Sequence, residues 1–270
     1  MSATLTGADD TGHEKWRPWS EESEPPLSKM LVMKTLILCG GKGTRAYPHT
    51  VDVPKPLLDV AGRPILRHVM EIYAAQGLTE FVLAAGYKHG LVHDFAMTLP
   101  VAWDVEVVDT GLETNTAGRV AACRELLGET FLVTYGDGVG NVDIGSLTAF
   151  HRSHPGAASV TIVPLPSQYG TIELDGDGLV SRFREKPRLP EHTINAGFFV
   201  FDRRVFELWT GEDLERETLP ALGARRQLYA YRHDGFWKSM DTYKDAVDLG
   251  ALCADGPGPW LAPPGQPVER

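Results

Sequence analysis

Cysteine, long apolar runs and surplus positive charge are all scarce in this sequence. Its three cysteines, an odd number with no C-x-x-C spacing, disfavour a disulfide framework and a thiolate metal site. No apolar stretch reaches the roughly 20 residues that cross a bilayer, and residues 1–30 lack the apolar core of a signal peptide. The 26 basic residues are outnumbered by 36 acidic ones, so the net charge of −10 disfavours a nucleic-acid surface without excluding small anions. We therefore expect a cytoplasmic protein that binds neither nucleic acid nor a membrane.

Two common catalytic signatures are missing as well. The nine histidines include no H-E-x-x-H pattern, which disfavours a zinc hydrolase site. No serine stands in a G-x-S-x-G turn, so nucleophilic hydrolysis by serine has no support.

Composition divides the chain into three parts. Residues 1–30 are rich in Ser, Thr, Gly, Asp, Glu and Pro, and such a segment buries too little apolar area to offset chain entropy, so we expect a disordered extension. Residues 31–254 contain no long linker and no internal repeat, which predicts a single domain. Residues 255–270 include five prolines and three glycines, and we expect them to form an extended tail.

Short apolar runs alternate with helical periodicity along the domain. The run at 34–39 ends in glycines, and 64–76 carries apolar residues at helical spacing. This alternation predicts an α/β fold with a mostly parallel, mixed sheet flanked by helices, whose ligands lie at the carboxyl ends of the strands. The second half has shorter strands and a D-G-D-G hairpin turn at 175–178, which predicts a small antiparallel part. Further strands are predicted at 81–85, 105–108, 131–137, 158–163, 171–174, 179–184, 194–201 and 228–231, and further helices at 90–97, 116–127 and 242–252.

A glycine-rich loop follows the first predicted strand. Its glycines, Gly40, Gly41 and Gly43, would allow backbone N–H groups to approach a phosphate, and Arg45 adds a bidentate positive charge after Thr44. The loop matches neither the dinucleotide fingerprint nor the Walker pattern. A tight turn without a ligand is the alternative.

Three single charges stand in unusual surroundings. Lys55 lies between two prolines, which hold it in a stiff segment, although an ordinary solvated lysine is the alternative. Asp137 lies between glycines at the end of an apolar strand, where a carboxylate can bind Mg²⁺ together with phosphates and water, or simply close a turn. Asp241 precedes the last predicted helix, and there it is either a second functional acid or an N-cap.

Seven motifs occur in a fixed order over residues 33–252, and together they are far more specific than any one alone. They are GGKGTR, PKP, TAGR, YGDG, EKP, INAGFF and FWKSMDT. This order resembles the sugar-1-phosphate nucleotidyltransferase family, and within it the glucose-1-phosphate cytidylyltransferase branch. The resemblance implies the Rossmann-like nucleotidyltransferase fold, with a sugar-binding role for the antiparallel part.

The resemblance also implies roles for particular residues. Arg45, Lys55, Asp137 and Asp241 would be catalytic, and both aspartates would bind Mg²⁺. Glu185, Lys186 and Asn195 would bind the sugar phosphate. The implied nucleotide-binding residues are Gly40, Gly41, Gly43, Thr44, Arg45, Lys55 and Arg119.

The implied reaction joins CTP and a hexose 1-phosphate, with α-D-glucose 1-phosphate as the first choice, to give a CDP-sugar and pyrophosphate. The family resemblance further implies a homo-oligomer. Other nucleotides (UTP, GTP or dTTP) and other acceptors (a cyclitol phosphate, a heptose phosphate or a phosphonate) stay open. A non-catalytic nucleotide-sugar-binding protein and a glycosyltransferase are alternatives from different classes.

Overall fold

The computed structural model describes residues 33–264, apart from the side chain of Pro190. The extension predicted for residues 1–30 therefore lies outside the described residues. Within the described part, no helix is long and apolar enough to cross a membrane. All three cysteines are unpaired.

Thirteen strands and six α-helices make up the described chain. The strands are β1 (Thr35–Leu38), β2 (Asp59–Val60), β3 (Arg63–Pro64), β4 (Glu80–Ala85), β5 (Asp104–Asp109), β6 (Thr130–Tyr135), β7 (Gly138–Gly140), β8 (Ala158–Pro166), β9 (Thr171–Leu174), β10 (Val180–Arg184), β11 (Arg188–Asp202), β12 (Leu228–Arg232) and β13 (Trp237–Ser239). The helices are α1 (Ile65–Ala74), α2 (His89–Ala96), α3 (Thr116–Ala122), α4 (Ile144–Arg152), α5 (Leu219–Ala224) and α6 (Tyr243–Ala251).

A seven-stranded mixed sheet forms the centre, in the order β12-β8-β11-β6-β1-β4-β5. Neighbouring strands are parallel except at β11, which runs antiparallel to both β6 and β8. The prediction of a mostly parallel, mixed sheet flanked by helices is confirmed. The hairpin predicted at 175–178 is also present and joins β9 to β10 in a separate antiparallel pair.

Both faces of this sheet are buried along its central strands. Successive residues of a strand point to opposite faces, so Leu36 packs with Val120 of α3, whereas Ile37 belongs to the cluster that contains Leu66 of α1. A strand covered on both sides has no solvent-facing positions. This explains why β1 is a continuous apolar run in the sequence rather than an alternating one.

Several elements differ from the sequence prediction. The helix predicted over 116–127 ends at Ala122, and a short 3₁₀ turn (Arg124–Leu126) replaces its last part. Helices α4 and α5 were not predicted. The start of α4 does have a sequence signal, since the side chain of Asp143 accepts a hydrogen bond from the Ser146 N–H as an N-cap.

The expected extended tail over 255–270 is wrong for the part that the structure describes. Pro259–Leu261 form a 3₁₀ turn, and Trp260 is only 1% exposed, packed against His68 and Phe236. Proline and glycine content indicates only how the backbone bends. One buried tryptophan supplies enough apolar area to dock the segment on the domain.

Trp260→Ala should therefore destabilise the whole domain. Truncation of a buried aromatic side chain costs about 3–5 kcal/mol in the free energy of unfolding, and we expect a loss in this range in urea denaturation. The control is Tyr169→Ala, since Tyr169 is 77% exposed and its truncation should change stability little. Equal midpoints for Trp260→Ala and the unmodified protein would show that the segment does not dock in solution.

Candidate functional site

The loops that follow the parallel strands lie at one edge of the sheet. In the register of the sheet, Leu38 at the end of β1 lies opposite both Ala84 of β4 and Tyr135 of β6. The glycine loop therefore starts beside the segment that carries Asp137. Carboxyl ends of parallel strands are where ligands of such sheets lie.

The glycine loop packs directly on Lys55. Gly43 has φ +63°, and a Cβ added there would lie 2.6 Å from the Lys55 Cβ, so both the backbone conformation and the close contact require glycine. The Thr50 hydroxyl donates to the Gly43 carbonyl at 3.2 Å. Gly41 is exposed with open space around its Cα. The loop backbone is thus fixed at Gly43 and accessible at Gly41.

Lys55 is a buried lysine between two carboxylates. It is 7% exposed, at the start of a 3₁₀ turn (Lys55–Leu57) that Pro54 precedes. Its Nζ donates to Asp137 Oδ2 at 2.6 Å and to Asp241 Oδ1 at 3.4 Å. The alternative of an ordinary solvated lysine is therefore wrong, because the side chain is buried. The two carboxylates compensate the lost hydration of its ammonium group.

A small antiparallel ladder brings the two aspartates together across 104 positions of sequence, from 137 to 241. Strand β7 follows Asp137 directly and pairs with β13, whose Ser239 lies opposite Gly138. The Met240 N–H also donates to the Asp137 carbonyl at 2.8 Å. Asp241 therefore lies beside Asp137 because of backbone pairing, independently of the charges.

Asp241 is not the N-cap of the last helix. Thr242 has that role, in a capping box with Asp245. The Asp241 carboxylate is instead engaged by Arg45 Nη2 at 2.9 Å and by the Ser239 hydroxyl at 3.2 Å, besides Lys55. Four of the predicted site residues, Arg45, Lys55, Asp137 and Asp241, thus form one contiguous cluster, which we call the charged cluster.

The charged cluster contains carboxylate oxygens, the type of ligand that a hard divalent cation binds. Asp137 and Asp241 both approach the same Lys55 ammonium, so their carboxylates face a common space. Within residues 33–264 no group of three or more His, Cys, Asp or Glu side chains is arranged for a metal. Mg²⁺ commonly binds through only one or two carboxylates and takes its remaining ligands from phosphates and water. The residues present fit Mg²⁺ in that mode.

Arg119 lies beneath the glycine loop. It is 4% exposed, and its guanidinium donates to the carbonyls of Gly40 at 3.1 Å and Ala85 at 3.0 Å. It also donates to the Gly111 carbonyl at 2.9 Å and to the Thr110 hydroxyl. These contacts join the loops that follow β1, β4 and β5.

The contacts of Arg119 differ from the direct nucleotide contact that the family resemblance implies. Since its donors are directed at protein oxygens, the structure gives Arg119 a supporting role under the loop. Two glycines make room for it, because a Cβ at Gly40 or Gly86 would lie 2.1 or 2.4 Å from Nη1. Gly86 is not among the site residues predicted from the sequence. Its position directly after β4 is the signal that would have indicated it.

The predicted sugar-phosphate residues are more dispersed. Glu185 and Lys186 are exposed on the segment after β10, and within the described chain neither forms an ion pair with the charged cluster. Lys186 has φ +45°, an uncommon left-handed conformation for a residue other than glycine. Asn195 does reach the sheet edge, since its Nδ2 donates to the Tyr135 hydroxyl at 3.2 Å.

The chain is similar to known proteins over most of its length. The Nucleotidyl transferase family matches residues 34–251. A glucose-1-phosphate cytidylyltransferase of Salmonella typhi is 35% identical, with 84% of this chain and 98% of that protein covered. Mannose-1-phosphate guanylyltransferase 1 of Arabidopsis thaliana is 35% identical over 80% of this chain and 63% of its own length. The crystal structure of HddC from Yersinia pseudotuberculosis complexed with GMP-PN has a similar fold, with a TM-score of 0.64 at 23% identity, covering 82% of this chain and 99% of that one.

Arg119→Met tests the supporting role of the guanidinium. The substitution removes the charged donor from the carbonyls of Gly40, Ala85 and Gly111, and a hydrogen bond to a charged group contributes about 1.5–3 kcal/mol. The Tyr87 N–H still donates to the Gly40 carbonyl and the Thr110 N–H to the Ala85 carbonyl, which limits the total loss. We expect the free energy of unfolding to fall by roughly 2–5 kcal/mol in a urea titration. Arg216→Met is the matched control, because that side chain is 88% exposed and should change stability by less than about 0.5 kcal/mol. Similar small effects of both substitutions would contradict this account.

Proposed function

The chain belongs to the nucleotidyl transferase family, and we propose that its reaction joins CTP to a hexose 1-phosphate, giving a CDP-sugar and pyrophosphate. We take α-D-glucose 1-phosphate as the acceptor, Mg²⁺ as the metal and the cytoplasm as the location. The observation that carries the proposal is the Lys55 ammonium, held between Asp137 and Asp241 directly beside the glycine loop.

The chemistry requires charge neutralisation rather than a base. A phosphate monoester has a second pKa of about 6, so the acceptor is already an anionic nucleophile at neutral pH. Its phosphate oxygen forms a bond to the α-phosphorus of CTP, and the bond from that phosphorus to the bridging oxygen breaks. Pyrophosphate leaves with the electron pair. The obstacle is the electrostatic repulsion between the two anionic substrates. Positive charges held in position lower this repulsion.

Lys55 and Arg45 supply those positive charges in different ways. Lys55 is buried and fixed by two carboxylates, so its charge is preorganised before substrates arrive. Arg45 is exposed at the open side of the glycine loop, where a guanidinium can bind phosphate with two hydrogen bonds. Bound Mg²⁺ would be held by Asp137 and Asp241 and would neutralise further phosphate charge.

The sugar side of the proposal depends on Glu185, Lys186 and Asn195. Lys186 would bind the phosphate of the acceptor, while Glu185 and Asn195 would contact hexose hydroxyls. The exposed position of Glu185 and Lys186 leaves both side chains free to reach a ligand. We also propose that the protein is a homo-oligomer, as its family resemblance implies.

The base of the nucleotide is tested with purified protein and each of CTP, UTP, GTP, ATP and dTTP, with α-D-glucose 1-phosphate as acceptor. Release of pyrophosphate should be fastest with CTP. The guanylyltransferase among the relatives makes GTP with mannose 1-phosphate the strongest competing pair. Equal or faster turnover with another nucleotide would overturn the cytidylyl assignment and leave the reaction class intact. Absence of pyrophosphate release with every nucleotide and every acceptor would favour a non-catalytic binding protein.

Asp137→Asn should abolish turnover and leave the fold intact. Loss of one preorganised charge contact at a reacting centre lowers kcat about 10²- to 10³-fold, and the amide has nearly the shape of the carboxylate. We expect the thermal midpoint to change by only a few degrees. Asp175→Asn, in the β9–β10 hairpin turn, removes the same charge away from the site and should keep normal kcat. Normal activity of Asp137→Asn would refute its role in the reaction.

A further inference from the structure

A second acidic position lies at the same edge of the sheet, and the proposed mechanism does not use it. The hydroxyl of Tyr135 donates to Glu215 Oε1, and the hydroxyl of Thr116 donates to Glu215 Oε2 at 2.7 Å. The Asn195 amide donates to the same Tyr135 oxygen at 3.2 Å. Glu215 is thus linked through one phenol to a predicted sugar-binding residue.

The backbone holds Glu215 firmly in place. It lies in a single π-helical turn, Leu214–Thr218, a conformation that is rare and frequently found at functional sites. The Asp213 side chain accepts the N–H of Glu215 at 3.1 Å, and the Leu214 N–H donates to the Thr116 hydroxyl at 2.9 Å. The turn is therefore fixed both to itself and to the start of α3.

Tyr135 is held with similar rigidity. It is the last residue of β6, two positions before Asp137, and its ring fills the space above Gly197, where an added Cβ would lie 2.3 Å from it. The Tyr135 hydroxyl therefore has a fixed position from which it donates to the carboxylate of Glu215.

The neutral hydrogen-bond partners of Glu215 distinguish it from the aspartates of the charged cluster. Both of its hydrogen-bond donors are neutral hydroxyls, and no Lys, Arg or His within residues 33–264 forms an ion pair with it. Glu215 is exposed. A carboxylate has about four acceptor positions, so it retains capacity for further donors from solvent or a ligand. Such a group repels a phosphate and attracts a hydroxyl.

We propose that Glu215 accepts a hydrogen bond from a ring hydroxyl of the acceptor sugar, with Tyr135 as the positioning residue that orients its carboxylate. The ligand class is a sugar phosphate. Its uncharged, polyhydroxylated ring would contact Glu215, and its phosphate would lie toward the charged cluster. This inference rests on the proposed function and adds a residue that selects the acceptor by its hydroxyl pattern.

Steady-state kinetics of Glu215→Gln, with each substrate varied separately, test the proposal. A hydrogen bond to a charged group contributes about 1.5–3 kcal/mol, so we expect the KM for α-D-glucose 1-phosphate to rise roughly 10- to 100-fold. The KM for CTP and the thermal midpoint should stay the same. Tyr135→Phe keeps the ring above Gly197 and should raise the KM for the sugar phosphate several-fold, with the KM for CTP unchanged. Glu207→Gln, at an exposed acid after β11, is the matched control and should behave as the unmodified protein.

Monodeoxy analogues of glucose 1-phosphate identify the hydroxyl. One analogue should lose as much kcat/KM with the unmodified protein as Glu215→Gln loses with the parent sugar. The same analogue should show little further loss with the variant, since the partner is already missing. Additive losses for every analogue, or a change confined to the KM for CTP or to stability, would overturn the proposal.

Direct binding separates this inference from the proposed function. Calorimetry with α-D-glucose 1-phosphate should give weaker binding to Glu215→Gln than to the unmodified protein, whether or not any nucleotide is turned over. Lack of turnover together with this difference would overturn the transferase and keep the sugar contact. Equal affinity of the two proteins, or no binding to either, would overturn the sugar contact.

Discussion

The ammonium of Lys55 between Asp137 and Asp241 is the interaction on which the site depends. A buried charge is costly unless it is paired, and the Lys55 ammonium has two carboxylate partners. The pairing joins the stiff proline segment around Lys55, the end of β6 and the β7–β13 ladder. Because Gly43 packs on the same lysine, the conformation of the glycine loop depends on it too. The position of the buried charge and the conformation of the loop are therefore set by one interaction.

Arg119 forms a second layer under this arrangement. Its hydrogen bonds join the ends of three neighbouring strands, so a buried cation holds the backbone of the glycine loop and of the loops beside it. Gly40 and Gly86 leave space for the guanidinium, so both glycines are required for its packing. The family resemblance implies a nucleotide contact for Arg119, whereas in the structure its guanidinium donates to protein carbonyls.

The edge of the sheet that carries the site has two parts with different electrostatic character. Around Lys55 and Arg45 the positive charges lie close to the aspartates, which suits phosphates and a divalent cation. Around Glu215 the partners are neutral hydroxyls, which suits a sugar ring. The net charge of −10 describes neither part. An acidic protein can bind two anions because affinity depends on the local arrangement of charges rather than on their sum.

The sequence by itself determined the α/β class, the order of the main strands and the identity of the charged residues at their ends, because apolar periodicity and proline or glycine brackets are local signals. The sequence did not resolve the role of Asp241 or the burial of Trp260. Each depends on residues from elsewhere in the chain that contact that side chain. Only the tertiary structure placed residues 137 and 241 side by side and joined Tyr135 to Glu215. The physical reason is that strand pairing and burial bring distant residues into contact, and single-residue patterns carry no information about that pairing.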